Sequence, residues 1–220
     1  MAAKPLAPRA LYQEVAEGLR QRIYSRDLPP GSWIDELTIA RDYGISRTPL
    51  REALKVLAAE GLVTMKVRRG AYVTEVSDKD LTDVYHLLAL LEADATAVVA
   101  KNATPQELEE LLALHQQLSD AATSTQSGHG DTTLFFQINE RFHVRLLAIA
   151  NNRWRDQLVA DLRKVMKLNR QNSLLKTGRV AEALAEHQAI VDALVQRDES
   201  AAAKAMRRHF ESGLVAAQLA

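Results

Sequence analysis

Residues 44–54 read Gly44-Ile45-Ser46-Arg47-Thr48-Pro49-Leu50-Arg51-Glu52-Ala53-Leu54. Gly44 suits the left-handed residue that closes a short helical pattern over residues 36–43. Ser46 can then act as an N-cap, and Pro49 fits the first turn of a second helix whose apolar stripe continues beyond Leu54. The stretch therefore predicts two short helices joined by a tight turn.

The flanking sequence extends this pattern in both directions. Upstream, apolar residues recur at helical spacing from Leu11 to Ile23 and stop before Pro29-Pro30-Gly31. Downstream, residues 62–67 and 71–76 alternate in the manner of β-strands, with Arg68-Arg69-Gly70 between them. Helix, short helix, turn, helix and hairpin form the order of a winged helix-turn-helix, which we place in residues 10–76.

The start of the second helix has the chemistry of a DNA-recognition element. Such a helix inserts its N-terminal residues into the major groove. Arg47 and Arg51 lie four residues apart on one face, and either can reach guanine O6 and N7. Ser46, Thr48 and the amides at the helix start suit phosphate oxygens, aided by the helix dipole.

The hairpin tip adds positive charge, since Arg68 and Arg69 can follow the DNA backbone or the minor groove, and Gly70 permits a close approach. The basic side chains between residues 41 and 69 are Arg41, Arg47, Arg51, Lys55, Lys66, Arg68 and Arg69, against Asp42, Glu52 and Glu60. This local excess is typical of a surface that faces phosphates, although a solvated face has the same composition.

Composition limits the remaining possibilities. The chain has 28 basic and 28 acidic side chains, so the DNA-facing charge is local rather than global. With no cysteine it can form neither a disulfide nor a thiolate zinc site. No apolar run resembles a signal peptide or a membrane span, so we expect a cytoplasmic protein without a membrane partner.

Beyond Ser77 the pattern becomes entirely helical. We predict helices near residues 78–101, 104–122, 131–150, 153–176, 179–197 and 200–218. The fold class is therefore mainly α, with the winged domain followed by an all-α antiparallel bundle of about six helices in residues 77–220.

Three histidines in this second domain lie in apolar stripes of different predicted helices. His143, His187 and His209 should point into the bundle, with Asn139 one turn before His143. Neutral imidazoles are common ligands of zinc-like divalent ions, so the cluster predicts a metal site or a metal-free pocket for a small ligand. The other histidines share no pattern and are expected to have structural or surface roles: His86, His115 and His129.

At this level of detail the sequence resembles a known family. Residues 36–54 closely resemble the signature of GntR-family transcription factors, and residues 57–63 and 69–73 extend the match. Pattern and resemblance together predict that DNA is contacted by Arg41, Ser46, Arg47, Thr48, Pro49, Arg51, Arg68, Arg69 and Gly70.

The sequence from about Asp80 onward is similar to the FCD effector domain of the FadR subfamily, in its shorter VanR-like form. The matching pieces are Glu92, Phe142-His143, Glu186-His187 and His209-Phe210. The resemblance implies a divalent metal held by Asn139, His143, His187 and His209. Metal-binding members carry Asp where this chain has Asn139, and an amide oxygen can coordinate but brings no negative charge.

The resemblance also implies function. It points to a homodimer on a pseudo-palindromic operator, acting as a repressor whose DNA affinity responds to a small carboxylate. Arg145 and Arg163 are candidate partners for that carboxylate, with surface salt bridges as the alternative. Two other functions compete: a metal-dependent hydrolase using the three histidines, and an architectural DNA-binding protein without an effector.

Overall fold

The computed structural model describes residues 11–126, 132–168 and 178–218. The chain divides into two compact units, one ending at Ser77 and the other beginning at Asp78. The predicted boundary, between residues 76 and 77, lies one residue from this division.

The first unit begins with three helices in the predicted order. They are α1 (Leu11–Tyr24), α2 (Glu36–Asp42) and α3 (Arg47–Ala59). The Asp35 side chain caps α2 by accepting hydrogen bonds from the backbone amides of Leu37 and Thr38. Gly44 and Gly61 adopt left-handed conformations, with φ of +64° and +76°, just beyond the ends of α2 and α3.

An antiparallel hairpin follows α3. It consists of β1 (Val63–Lys66) and β2 (Gly70–Val73), with Val63 opposite Val73. Both strands are shorter than the predicted segments 62–67 and 71–76. Because the turn at Gly61 precedes β1 so closely, the described sheet offers residues 75 and 76 no partner strand.

A third extended segment, which the sequence did not reveal, lies along the other edge of β2. The amide of Ile34 donates to the carbonyl of Ala71, and the amide of Val73 donates to the carbonyl of Ser32, both at 2.9 Å. An isolated bridge also joins Trp33 and Tyr72. The segment begins at Pro29-Pro30-Gly31, which reads as a turn, so its pairing depends on contacts distant in sequence.

The core of the first unit lies between α1 and α3. Its fully buried leucines are Leu19, Leu50, Leu54, Leu57 and Leu62. An ion pair of 2.8 Å between Arg20 and Glu60 joins α1 to the residue that follows α3. The recognition-helix candidate is thus held rigidly by its apolar stripe, which leaves its first turn at the surface.

The second unit is a helical bundle, as predicted. Its described helices are α4 (Asp78–Asn102), α5 (Pro105–Gln126), α6 (Thr132–Ala150), α7 (Arg153–Leu168), α8 (Arg179–Val195) and α9 (Glu199–Gln218). Helix α4 packs against α6, α7, α8 and α9, so residues on its inner face meet side chains from most of the bundle.

The helical unit differs from the prediction in one helix end, and part of another predicted helix is not described. Helix α5 runs four residues past the expected end at 122. Residues 169–176 of the predicted helix 153–176 lie outside the described residues. No helix in the described ranges is long and apolar enough to cross a membrane.

Candidate DNA-binding surface and candidate metal centre

The first turn of α3 is accessible, as a recognition helix requires. Ser46, Arg47 and Thr48 are exposed, while Pro49 is half-buried. Ser46 occupies the N-cap position, but its hydroxyl makes no capping hydrogen bond within the described first unit. The expected capping role is therefore absent, and this side chain leaves the helix-start amides uncapped, as a phosphate site requires.

One carboxylate contacts both arginines predicted to read bases. Oε2 of Glu36, in the first turn of α2, lies 2.9 Å from Nε of Arg51 and 3.5 Å from a terminal nitrogen of Arg47. The two arginine side chains remain 55% and 51% exposed. Glu36 was not among the residues predicted to contact DNA, although it lies at the start of the helix that packs beside α3.

Arg41 and the hairpin tip supply the remaining predicted contacts. Arg41, in the last turn of α2, is 76% exposed and lies 3.7 Å from Asp42. Arg68 and Arg69 are exposed in the turn before β2, and Arg68 has a positive φ of +60°. These exposed side chains can extend into solvent, which suits contacts with the phosphates of the DNA backbone.

Gly70 has a structural reason to be glycine. Its φ is +90°, and a Cβ placed on it would lie 3.1 Å from Nε1 of Trp33. Gly70 also starts β2 rather than lying in the turn, so the predicted close approach of this residue to DNA stays a prediction. The observed close approach is to Trp33, within the fold.

In the second unit, the three predicted histidines meet. Helices α6, α8 and α9 bring together His143, His187 and His209, which are 1%, 0% and 8% exposed. Each offers one ring nitrogen, and these nitrogens all lie within 4.8 Å of one another. The helical spacing in the sequence thus predicted the convergence of these side chains.

One ring nitrogen of His143 forms a hydrogen bond with a buried carboxylate. Its Nδ1 lies 2.6 Å from Oε2 of Glu92, on α4. The other oxygen of Glu92 accepts hydrogen bonds from Nε and a terminal nitrogen of Arg163, on α7, at 2.8 and 2.5 Å. All three side chains are buried, so α4, α6 and α7 meet in one hydrogen-bonded chain.

His209 has the same arrangement on the other side of the cluster. Its Nδ1 lies 2.7 Å from Oε2 of Glu186, on α8. Arg179, also on α8, forms a two-pronged ion pair with Glu186, at 2.9 and 3.0 Å. Histidine ligands of metals commonly donate a hydrogen bond from the N–H of their second ring nitrogen to a carboxylate in this way.

His187 differs from the other two. Both of its ring nitrogens are buried and have no hydrogen-bond partner among the described residues. Its ring packs edge-on against Phe142, with centroids 4.9 Å apart. Burying a polar group without a partner costs free energy, so a ligand that bound either ring nitrogen would relieve that cost.

Lowered pKa values keep two of the three histidines, His143 and His187, neutral near pH 7. Burial lowers the pKa of His143 to about 4, although the charge of Glu92 opposes the shift. Burial together with the neighbouring histidines holds the pKa of His187 well below its usual value. Burial alone would raise the pKa of Glu92, but Arg163 and His143 bring it down to about 2.

Glu186 behaves in the same way as Glu92. Its burial would raise its pKa, whereas hydrogen bonds from His209 and Arg179 lower it to about 2. Near neutral pH both carboxylates are therefore anionic acceptors. A neutral imidazole facing such an acceptor carries its proton on Nδ1 and keeps the lone pair on Nε2, which is the form that can bind a metal.

A cavity of about 70 Å³ lies beside the cluster. Its lining includes Asn139, His143, Arg163 and His209, together with Arg179. The structure therefore places Asn139, the predicted fourth ligand, at the same cavity as two of the histidines. The surface salt bridge considered for Arg163 is wrong, since this arginine is buried and lines the cavity.

Arg145 lies elsewhere. Its Nε donates to Oε2 of Glu110, on α5, at 2.5 Å, and the side chain borders a groove between α5 and α6. Arg145 therefore does not line the histidine pocket, and it forms the surface salt bridge that the sequence analysis gave as the alternative. Arg145 follows His143 by two residues, and two residues correspond to about 200° around an α-helix, so the two side chains point to opposite faces.

The remaining histidines are dispersed. His86 is exposed, and His129 lies outside the described residues. His115 is buried, with Nε2 2.8 Å from the side-chain oxygen of Gln188, and it is one of the groups that lower the pKa of His187. Its structural role agrees with the expectation, but its proximity to the cluster was not foreseen.

Comparisons with known proteins agree with this architecture. The family model "Bacterial regulatory proteins, gntR family" matches residues 11–73, and the "FCD domain" model matches residues 83–212. The HTH-type transcriptional regulator YdhC of Bacillus subtilis is 28% identical over 92% of this chain and 89% of its own. The HTH-type transcriptional repressor RspR of Escherichia coli is 26% identical over 90% of this chain and 85% of its own.

A solved structure shows the same fold. The Escherichia coli protein McbR/YncC superposes with a TM-score of 0.77 at 21% identity, covering 96% of this chain and 99% of its own. The VanR-like subgroup stays a prediction. The two family matches span the DNA-binding unit and most of the helical unit, and the matched relatives are regulators rather than enzymes. The chain thus belongs to the GntR family of bacterial transcriptional regulators, in the group that carries an FCD domain.

Proposed function

We propose that this regulator is a repressor whose DNA affinity is modulated by a small carboxylate bound in the helical unit, next to a divalent metal. His143, His187 and His209 would hold the metal, with Asn139 as a fourth donor. One observation carries the proposal: His187 is fully buried, and neither of its nitrogens has a partner in the described structure.

The donor set favours a particular class of metal. Imidazole nitrogens suit zinc and its neighbours in the first transition series, whereas magnesium and calcium prefer oxygen ligands. Glu92 and Glu186 are occupied by arginines and histidines, and Glu140, which lines the cavity, pairs with Lys167. A zinc-like ion would therefore be bound by neutral donors alone.

The absence of charge on these metal donors supports the proposal that the effector is an anion. Glu92 and Glu186 are balanced by Arg163 and Arg179, so a bound dication would leave an uncompensated charge in a buried site. Buried charge is costly unless it is paired, and a carboxylate coordinated to the metal would provide the pairing. An apolar cavity of about 150 Å³ accommodates benzene. The cavity beside the histidines, of about 70 Å³, is roughly half that volume and therefore suits a ligand smaller than benzene.

The proposed DNA complex follows from symmetry. A homodimer presents two recognition helices, so it would read a pseudo-palindromic operator in the cytoplasm. Repression is supported by the relative RspR, which is named as a repressor. By thermodynamic linkage, an effector that changes DNA affinity must itself bind with an affinity that DNA changes by the same factor.

The two competing functions are less well supported. A metal hydrolase needs a general base beside the bound water, but the carboxylates of Glu92 and Glu186 pair with arginines, and Glu140, which lines the cavity, pairs with Lys167. An architectural protein has no use for a buried histidine without a partner. The cluster and its cavity favour an effector-responsive regulator over both.

Fluorescence anisotropy with DNA from upstream of the protein's own coding sequence tests the proposal. The protein is stripped with a chelator and measured alone, with Zn²⁺, and with Zn²⁺ plus a pool of small carboxylates. We expect the fully loaded protein to differ in DNA affinity by about 5- to 150-fold, the usual range of allosteric coupling.

The control is His187→Leu, which should bind the same DNA without responding to the additions. Identical binding curves for wild-type protein under all three conditions would contradict the proposed regulation. A response that persists in His187→Leu would place the effector site elsewhere.

A further inference from the structure

We infer that Glu92 and Glu186 are positioning residues, which fix His143 and His209 in the tautomer that offers Nε2 to the metal. The inference rests on the proposed metal site and deepens it. Neither carboxylate is a ligand in this account. Each acts through the histidine that it holds.

The two ring nitrogens of a neutral imidazole differ in chemistry. One ring nitrogen carries the proton and the other carries the lone pair, so only one nitrogen at a time can bind a metal. An ionised carboxylate accepts hydrogen bonds and donates none. The nitrogen facing Glu92 at 2.6 Å, or Glu186 at 2.7 Å, must therefore be the protonated Nδ1. Nε2 is left with its lone pair in both rings.

The two arginines complete each arrangement. Arg163 occupies Oε1 of Glu92 and leaves Oε2 for His143. Arg179 contacts both oxygens of Glu186, one of which also faces Nδ1 of His209. Each carboxylate is thus held in place beside its histidine by an arginine.

His187 provides the contrast within the same cluster. It has no carboxylate behind it in the described structure, so nothing there selects one of its tautomers. The site therefore contains two histidines of fixed tautomer and orientation and one whose tautomer is decided by the incoming ion. Fixing two of the three histidine ligands in advance reduces the ordering required when the metal binds.

Glu186→Gln is the most informative substitution. The side chain of Glu186 is 13% exposed, whereas Glu92 is fully buried, so the change at Glu186 disturbs the core less. An amide can donate as well as accept, so Gln no longer selects the Nδ1–H form of His209. The matched control is Glu182→Gln, because Glu182 also pairs with Arg179, at 3.7 Å, from the same helix.

The first readout needs no metal. Nitrogen NMR of histidine-labelled, chelator-treated protein should show wild-type His143 and His209 in the Nδ1–H form. In Glu186→Gln, His209 should lose this preference, and in Glu182→Gln it should keep it. Finding the Nε2–H form of His143 or His209 in the wild-type protein would overturn the inference without any variant.

The second readout is metal binding, by competition with a chelator and by the visible spectrum of bound Co²⁺. Glu186→Gln should weaken Zn²⁺ binding by about 10- to 100-fold, the usual effect of losing a carboxylate behind a histidine ligand. Its Co²⁺ spectrum should change, while that of Glu182→Gln should match the wild type. Wild-type affinity and an unchanged spectrum in Glu186→Gln would overturn the positioning role alone. A wild-type protein that binds neither ion would overturn the proposed metal site itself, and the inference with it.

Discussion

Nε of Arg51 donates to Oε2 of Glu36 across 2.9 Å, so the recognition helix α3 presents one of its predicted base-reading residues already held by α2. The same oxygen lies 3.5 Å from Arg47. A single acidic residue therefore restrains two cations on the candidate DNA surface. It also reduces the positive charge of that surface.

Glu36→Gln should separate these two effects. Removing the negative charge should raise affinity for non-specific DNA, because repulsion from the phosphates is lost. Discrimination between operator and scrambled DNA should fall several-fold, because Arg47 and Arg51 lose their restraint. Anisotropy titrations on both DNAs provide the measurement.

The control for that experiment is Glu52→Gln on α3, which removes an exposed carboxylate that pairs with Lys55. It should raise non-specific affinity without altering discrimination. Equal loss of discrimination in both variants would show that Glu36 has no special restraining role.

Removing the arginines themselves should have larger effects. Arg47→Ala and Arg51→Ala should each cost roughly 1–3 kcal/mol in operator binding and relax specificity at one base position. Arg68→Ala and Arg69→Ala should instead reduce the salt dependence, by about one unit of slope each, with specificity retained. Loss of salt-dependent affinity without loss of discrimination in Arg47→Ala would reassign that residue to a phosphate contact.

His187→Leu should stabilise the metal-free protein. The imidazole is fully buried without a partner in the described structure, and an unsatisfied buried polar group costs about 1–3 kcal/mol. Leucine has a similar size and no polar atom. Thermal unfolding in chelator should show a Tm a few degrees higher, and added Zn²⁺ should no longer raise it.

His115→Leu is a suitable comparison for that variant. His115 is also buried, and its Nδ1 likewise has no partner among the described residues, but its Nε2 lies 2.8 Å from the side-chain oxygen of Gln188, so the substitution removes an existing hydrogen bond. It should not raise Tm in chelator. A lower Tm for His187→Leu than for wild type would contradict the view that His187 lacks a partner.

Acidification should destabilise the metal-free protein in a defined window. The folded-state pKa of His143 is about 4, below its ordinary value of 6.5, so the unfolded chain takes up the proton more readily. The contribution of neutral His143 to the free energy of unfolding is therefore fully present above about pH 6.5 and is lost as the pH falls toward about 4. His187 contributes in the same direction.

Urea unfolding across this range provides the test. Wild-type protein in chelator should lose stability between about pH 6.5 and pH 4, and His187→Leu should lose less. Glu92 also contributes to the free energy of unfolding, and this contribution is lost at lower pH, because its pKa of about 2 in the folded protein lies below the ordinary value of 4.5. Constant unfolding free energy through the upper window would show that the buried histidines are not held neutral.

Asn139→Asp should strengthen metal binding. Asn139 lines the cavity beside His143, and a carboxylate there would add a negative charge to an otherwise neutral donor set. We expect Zn²⁺ affinity to rise by at least about tenfold, which corresponds to about 1.4 kcal/mol. Chelator competition measures the change, and an unaltered affinity would show that Asn139 is not a donor.

Helical periodicity made the main features of both sites predictable. It placed the cationic first turn of α3 opposite its buried stripe, and it directed His143, His187 and His209 inward from three helices. These features depend on positions within a single element, which spacing reveals directly.

The features that escaped prediction depend on pairs distant in sequence. Glu92 and Arg163 are 71 residues apart, and the approach of Trp33 to Gly70 needs the third sheet segment. Arg179 was open to prediction, since it lies seven residues, about two helical turns, before Glu186 on one helix. The same reasoning would have excluded Arg145, because it lies two residues from His143.

Calorimetric titration of Zn²⁺ into chelator-stripped protein tests the central claim most directly. The account predicts one saturable ion per chain in the wild type and none at the same site in His187→Leu. Absence of binding to the wild type, or unchanged binding to a folded His187→Leu variant, would contradict a metal centre built on these histidines.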